Sequence, residues 1–177
     1  MASNYGLALA LSRNGDHAEA VERAERLYRY DAESVLYTAA FAEVLIEAGR
    51  LERAKAVLNR SLAYYPDSYP LAMLLARTLI DEERFGEANA IYKQLSKQRP
   101  HDTLIWFQLA ETSGLAGNVT EVHLARAEYF YLNGASHRAI QHLEYAKNLV
   151  AGGNRQLHAK LTQRIQDLRT EIRSSQG

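Results

Sequence analysis

The sequence has no cysteine, so it can build neither a disulfide framework nor a thiolate metal site. It also lacks a long apolar run. The longest, Leu71–Ala76, is six residues, far short of the roughly 20 that cross a bilayer as a helix, so no transmembrane segment is expected. Charge of one sign is missing as well: 21 lysines and arginines balance 21 aspartates and glutamates. That balance argues against the large positive field by which a chain attracts nucleic acid or an anionic membrane. Proline occurs three times, and two of these, Pro66 and Pro100, lie 34 residues apart.

The content is organised by the same interval. Gly15 and Gly49 are 34 residues apart, Gly117 follows two periods later, and Gly134 comes half a period after that. In this register Ala20, Ala54 and Ala88 form a column rejoined by Ala139, and Ala8, Ala42, Ala76 and Ala110 form another rejoined by Ala127. Alanine at a helix crossing lets two backbones approach closely, and proline after a helix stops it. A 34-residue period in a helix-rich chain is similar to that of tetratricopeptide repeats. The expected fold is therefore all-α, a right-handed α-solenoid of helix pairs with a C-terminal capping helix. An apolar content of 47% suits such a fold better than disorder.

The repeats are expected at 1–34, 35–68, 69–102, 103–133 and 119–151. In the first, Asp16 is placed to cap the second helix, with Glu19 three residues on. The second keeps a helix stripe in Phe41, Ala42, Leu45, Leu51, Ala54, Leu58 and Leu62. The third has Glu83 where the others have glycine, so its turn must form without a flexible residue. Only 17 residues separate Gly117 from Gly134, room for one helix, 119–133, capped by Asn118 and shared between the fourth and fifth repeats. Beyond this array (1–151), Gly152 and Gly153 break the chain. The remainder, 152–177, carries a last helix, Arg155 to Arg173, with a stripe of Leu157, Leu161, Ile165, Leu168 and Ile172 and with Lys160, Arg164, Arg169 and Arg173 elsewhere on its surface. A terminal repeat cannot bury both faces, so an amphipathic cap is expected.

Three segments carry a narrower resemblance: Leu109-Ala-Glu-Thr-Ser-Gly-Leu-Ala-Gly-Asn118, Val122-His-Leu-Ala-Arg-Ala-Glu-Tyr-Phe-Tyr-Leu-Asn-Gly134 and Arg138-Ala-Ile-Gln-His-Leu-Glu-Tyr-Ala146. Together with Leu161, Arg164, Ile165 and Leu168, they resemble the C-terminal tetratricopeptide domain of the BepA-like periplasmic zinc metalloproteases. The distinctive match covers about 103–170. The resemblance implies a periplasmic, noncatalytic domain that binds polypeptide substrates or outer-membrane assembly proteins beside its own protease domain. No H-E-x-x-H occurs in this sequence, so zinc and the catalytic residues are expected in a protease domain outside this chain. The chain opens on a repeat boundary without the leader of a signal peptide, which reads as a domain or mature fragment of a longer protein. The alternative is a stand-alone scaffold or adaptor in another multiprotein complex.

Within the chain no catalytic constellation is legible. His137 and His142 are five apart and point in different directions round a helix, while His17, His101, His123 and His158 are isolated. They read as turn and surface histidines, and no cofactor is expected. There is no phosphate loop and no nucleophile elbow. The tetratricopeptide resemblance implies a groove lined by the first helix of each repeat. Its repeat position 5 falls on Tyr5, Ala39, Met73, Phe107 and Leu124, and position 9 on Leu9, Glu43, Arg77, Glu111 and Glu128; Tyr131 is a further aromatic candidate. The groove is thus expected to have an apolar stripe beside a mixed, mainly acidic one, suited to an extended polypeptide or a partner helix. The lysine and asparagine clamp of chaperone adaptors is missing. Most of the eleven tyrosines read as packing between repeats. The register itself is testable: Ala76→Leu should overpack a helix crossing and lower unfolding free energy by about 1–3 kcal/mol, and an unchanged urea midpoint would show the columns to be misaligned.

Overall fold

The computed structural model describes residues 2–174, with side chains from Tyr5 onward; the expected start of the first repeat at residue 1 and the last three residues of the capping segment lie outside this range. Among the described residues the chain is helical throughout: α1 (Ala2–Arg13), α2 (His17–Tyr30), α3 (Val35–Glu47), α4 (Leu51–Tyr64), α5 (Tyr69–Asp81), α6 (Phe85–Gln98), α7 (Thr103–Leu115), α8 (Val119–Leu132), α9 (Ser136–Leu149) and α10 (Arg155–Ser174). Residues 1–91 and 92–177 form two compact units, and the division falls within α6.

In the first unit α1 to α4 each pack on the next helix, and α3 also packs on both α1 and α5. The alanine columns lie at these contacts: Ala8, Ala20, Ala42, Ala54 and Ala76 have no exposed surface. Their single methyl groups let the helices close on a core that includes Phe41, Val44, Leu45 and Val57. Tyr28 stacks on Phe41 with ring centroids 5.2 Å apart, and the Arg53 guanidinium lies 5.1 Å from the Phe41 centroid. Arg53 also pairs with Glu25 at 2.7 Å and, with Arg29, holds that carboxyl below its ordinary range against the opposing effect of burial.

In the second unit α8 packs on both α7 and α9, and α10 packs on α9. The core joins Ala127, Ala139, Ile140, Leu143 and Ala146 to Leu161, Ile165 and Leu168 of α10, with Leu157 and Ile172 partly buried against it. The narrow stripe read from the sequence is the buried face of α10. Each of its buried leucine or isoleucine side chains contributes about 1.5–3 kcal/mol by leaving water.

The turns inside the pairs are built alike. Gly49 has φ +69°, its N–H donates to the Ile46 carbonyl at 2.9 Å, and the Arg50 N–H donates to the Leu45 carbonyl at 2.8 Å. This double closure is the Schellman motif, which places one residue in the left-handed region. It recurs after α7, where Gly117 has φ +76° and the Asn118 N–H donates to the Ser113 carbonyl at 2.8 Å. After α5 the same two bonds form, Glu83 N–H to the Ile80 carbonyl and Arg84 N–H to the Leu79 carbonyl, around Glu83 at φ +59°. The turn without glycine keeps the glycine conformation. Capping is less uniform. Asn118 caps as expected, its Oδ1 accepting the Glu121 N–H and its amide donating to the Glu121 carboxylate, both at 3.2 Å. Asp16 stands at the N-cap of α2 but makes no cap bond; its carboxylate accepts from the Asn14 amide at 2.9 Å. The expected Asp16 cap is thus displaced by a nearer donor.

A left-handed glutamate is strained by an amount that glycine avoids, while glycine gives the unfolded chain more freedom. Glu83→Gly should therefore raise unfolding free energy by about 0.5–1 kcal/mol, whereas Gly49→Val should lower it by about 1–3 kcal/mol. Urea denaturation with unchanged slope is the check.

Candidate functional site

In the first unit, Tyr5, Leu9, Glu43 and Met73 are half-buried and Arg77 is exposed. Leu9 packs against the core. Arg77 on α5 reaches Glu47 on α3 at 2.6 Å, an ion pair between first helices of successive repeats. The polar part of the candidate surface is thus partly self-compensated, and such exposed pairs exchange readily for a partner's charges. Ala39, the small member of position 5, packs beside Ala42, Leu58 and Leu71. A separate hollow between α2 and α4 is lined by Tyr28, Tyr64 and Tyr65. Tyr64 is 74% exposed, so the expectation that tyrosines serve packing fails at this position.

In the second unit the candidates divide. Phe107 is 44% exposed and tilts against Tyr129, with centroids 5.9 Å apart. Glu111 stands 3.5 Å from Arg126. Tyr131 packs on the core, lies 4.7 Å from the Arg164 guanidinium and directs its hydroxyl to Glu171 at 3.4 Å, so it is held from α10. Leu124 and Glu128 line a groove of about 410 Å³ that also draws on α6, α7, α9 and α10. Its lining includes Trp106, Leu109 and Leu161 together with Lys93, Lys97, Lys160 and Arg164. Trp106 is fixed by its indole N–H, which donates to the Pro100 carbonyl at 2.8 Å. Lys93 pairs with Glu121.

Two features escape a reading of the sequence. The basic residues of α6 and α10 are legible as i, i+4 pairs, Lys93 with Lys97 and Lys160 with Arg164, but nothing in their spacing indicates a common groove. His123 and His142, 19 residues apart, meet between α8 and α9 with their Nδ1 atoms 2.9 Å apart. His123 is therefore paired, contrary to the expectation that it stands alone. Phe130 stacks on His142 at 5.3 Å and Tyr145 lies 5.1 Å from His123. Burial is the main cause that pushes both imidazoles below their ordinary value; Arg126 adds to this for His123, and the positive charge of His123 and Arg126 for His142. Two histidines do not complete a metal site, and among the described residues no three potential ligands of the His, Cys, Asp or Glu type gather to hold an ion.

Sequential helix pairs with alanine seams, repeated turns and partly exposed aromatic side chains define a helical-repeat interaction fold. Residues 11–78 match the sequence model of the tetratricopeptide repeat, a scaffold for protein–protein contact and typically noncatalytic. Among solved structures, MamA 41-end from Desulfovibrio magneticus RS-1 is similar at 14% identity and TM-score 0.62, with 98% of each chain covered. MamA MSR-1 C2 is similar at 18% identity and TM-score 0.61, with 96% of each covered. TTC0263, a thermophilic tetratricopeptide protein of Thermus thermophilus, is similar at 15% identity and TM-score 0.57, covering 95% of this chain and 98% of that one. At these identities the likeness establishes the fold. No curated protein sequence matches the chain. No helix among the described residues is long and apolar enough to cross a membrane.

The histidine pair sets a pH dependence. One Nδ1 must donate and the other accept, so protonating both breaks the bond. Because both folded values lie below the ordinary 6.5, the unfolded chain binds more protons as pH falls. Their contribution to stability is complete above about pH 6.5 and is lost as pH drops through the depressed folded values. Thermal unfolding between pH 7.5 and 4.5 should show a loss that His123→Gln/His142→Leu reduces; an identical pH profile in that variant would refute the assignment.

Proposed function

We propose that this chain is the noncatalytic polypeptide-recognition domain of a periplasmic zinc metalloprotease engaged in outer-membrane protein assembly and quality control. The observation that carries this reading is the half-period from Gly117 to Gly134, with the residues around it that resemble the BepA-like repeat domain. Partners on this reading are polypeptide substrates, outer-membrane assembly proteins and the protease domain of the same protein. Zinc belongs to that protease domain, and this chain carries no cofactor. Contact is made by partly exposed apolar side chains, chiefly Phe107 beside Tyr129, and by charges that are loosely paired in the free chain, such as Arg77 with Glu47. Aromatic side chains of this kind contribute most to such interfaces, and neighbouring charges set orientation and partner choice.

A second reading, a stand-alone scaffold in another multiprotein complex, rests on the match of residues 11–78 to a generic tetratricopeptide repeat, which carries no protease feature. An H-E-x-x-H segment encoded in the same reading frame would exclude it. The binding test is a pull-down from bacterial envelope extract with the chain immobilised, in parallel with a Phe107→Ala/Arg77→Glu variant. Enrichment of outer-membrane assembly proteins that the variant loses is the expected outcome. No enrichment by the unaltered chain would sink the periplasmic assignment.

A further inference from the structure

The groove of the second unit differs in charge from the mainly acidic stripe expected of the inner helices. Trp106, Leu124 and Leu161 give it an apolar lining. Of its four cations, Lys93 is compensated by Glu121. Arg164 has Tyr131 as its aromatic neighbour, which leaves its charge in place. Lys97 and Lys160 are exposed and make no ion pair among the described residues. Three uncompensated cations therefore share the groove with one uncompensated carboxylate, Glu128. Its volume, about 410 Å³, falls within the roughly 300–1,000 Å³ of pockets that take ligands.

We propose that this groove binds an acidic polypeptide segment bearing an apolar side chain, which seats on Trp106 and Leu124 while flanking carboxylates meet Lys97, Lys160 and Arg164. The inference rests on the polypeptide-binding reading above and names the chemistry that one surface selects. It also gives α10 a second role, since the helix that closes the repeat core supplies two of the three cations. A peptide fits better than an anionic membrane. The uncompensated carboxylate of Glu128 repels a surface of phosphates, whereas beside an extended chain it accepts backbone N–H groups.

Trp106 is the sole tryptophan of the chain, so its emission reports on the groove directly. The probes are a short peptide in which a central Leu-Phe pair is flanked by glutamates, the same peptide with lysines for glutamates, and phosphatidylglycerol vesicles. The acidic peptide should shift Trp106 emission saturably and bind more weakly as salt rises. The lysine peptide should bind at least about tenfold more weakly, and Lys97→Glu/Lys160→Glu should weaken the acidic peptide by at least about tenfold. Both lysines are exposed, so the variant should keep its circular dichroism and melting point; Lys97→Gln/Lys160→Gln, which adds no negative charge, should lie between. Equal affinity for both peptides, undiminished binding by the glutamate variant, or a response to vesicles but not peptide would overturn the proposal. Envelope proteins retained by Lys97→Glu/Lys160→Glu but lost by Phe107→Ala/Arg77→Glu, with no acidic-peptide response, would refute this groove while leaving the recognition function intact.

Discussion

Close approach of helix backbones at the alanine seams is the constraint on which the rest of the structure depends. A repeat of two helices cannot bury its own apolar face, and stability comes from stacking on a neighbour. Stacking works only if the side chain at each crossing is small, and Ala8, Ala42 and Ala76 on successive first helices are fully buried. The larger side chains can then interlock beside the seam, as Phe41, Leu45 and Val57 do. Ala139 and Ala146 serve the same end on α9, where Leu161, Ile165 and Leu168 of α10 complete the core. The surface available for binding is what this packing leaves over.

The left-handed turn is the second fixed element, and Glu83 shows what holds it where glycine is absent. Glu82, the residue before it, accepts from the buried Lys55 ammonium at 2.7 Å. Lys55 also donates to Glu52 at 2.8 Å. Glu52 and Glu82 hold the Lys55 pKa up, and Lys55 in turn holds Glu82 down, so both stay charged near neutrality. On the other side Arg84 grips Glu87 at 2.6 Å. Ion pairs flank the strained residue and tie the turn to α4, an example of local strain maintained by its surroundings.

How much of this is legible in the sequence follows from the range of each interaction. The seams, turns and amphipathic face of α10 repeat along the chain, so their spacing alone exposes them: Gly15, Gly49 and Gly117 with Glu83 mark one column. The Asp16 cap fails because Asn14, two residues away, competes for the same carboxylate. The His123–His142 contact is invisible because spacing rules compare positions on one helix, and this pair joins two. The groove candidates are mixed for the same reason. Phe107 remains partly exposed, whereas Leu9 and Tyr131 pack on core residues that no one-dimensional register could assign.

Charge gives the sharpest case of what a sequence sum conceals. Twenty-one cations and twenty-one anions add to zero, yet many are engaged locally, often three or four residues apart, as in Glu19 with Arg23 or Glu25 with Arg29. Such pairs cancel at the surface and contribute little. The field that a partner meets is set by charges whose opposites lie elsewhere. Lys97 and Lys160 reach one groove from helices far apart in sequence. Neutral composition therefore excludes a uniformly charged surface but leaves room for recognition by local imbalance, which the packing of α10 creates.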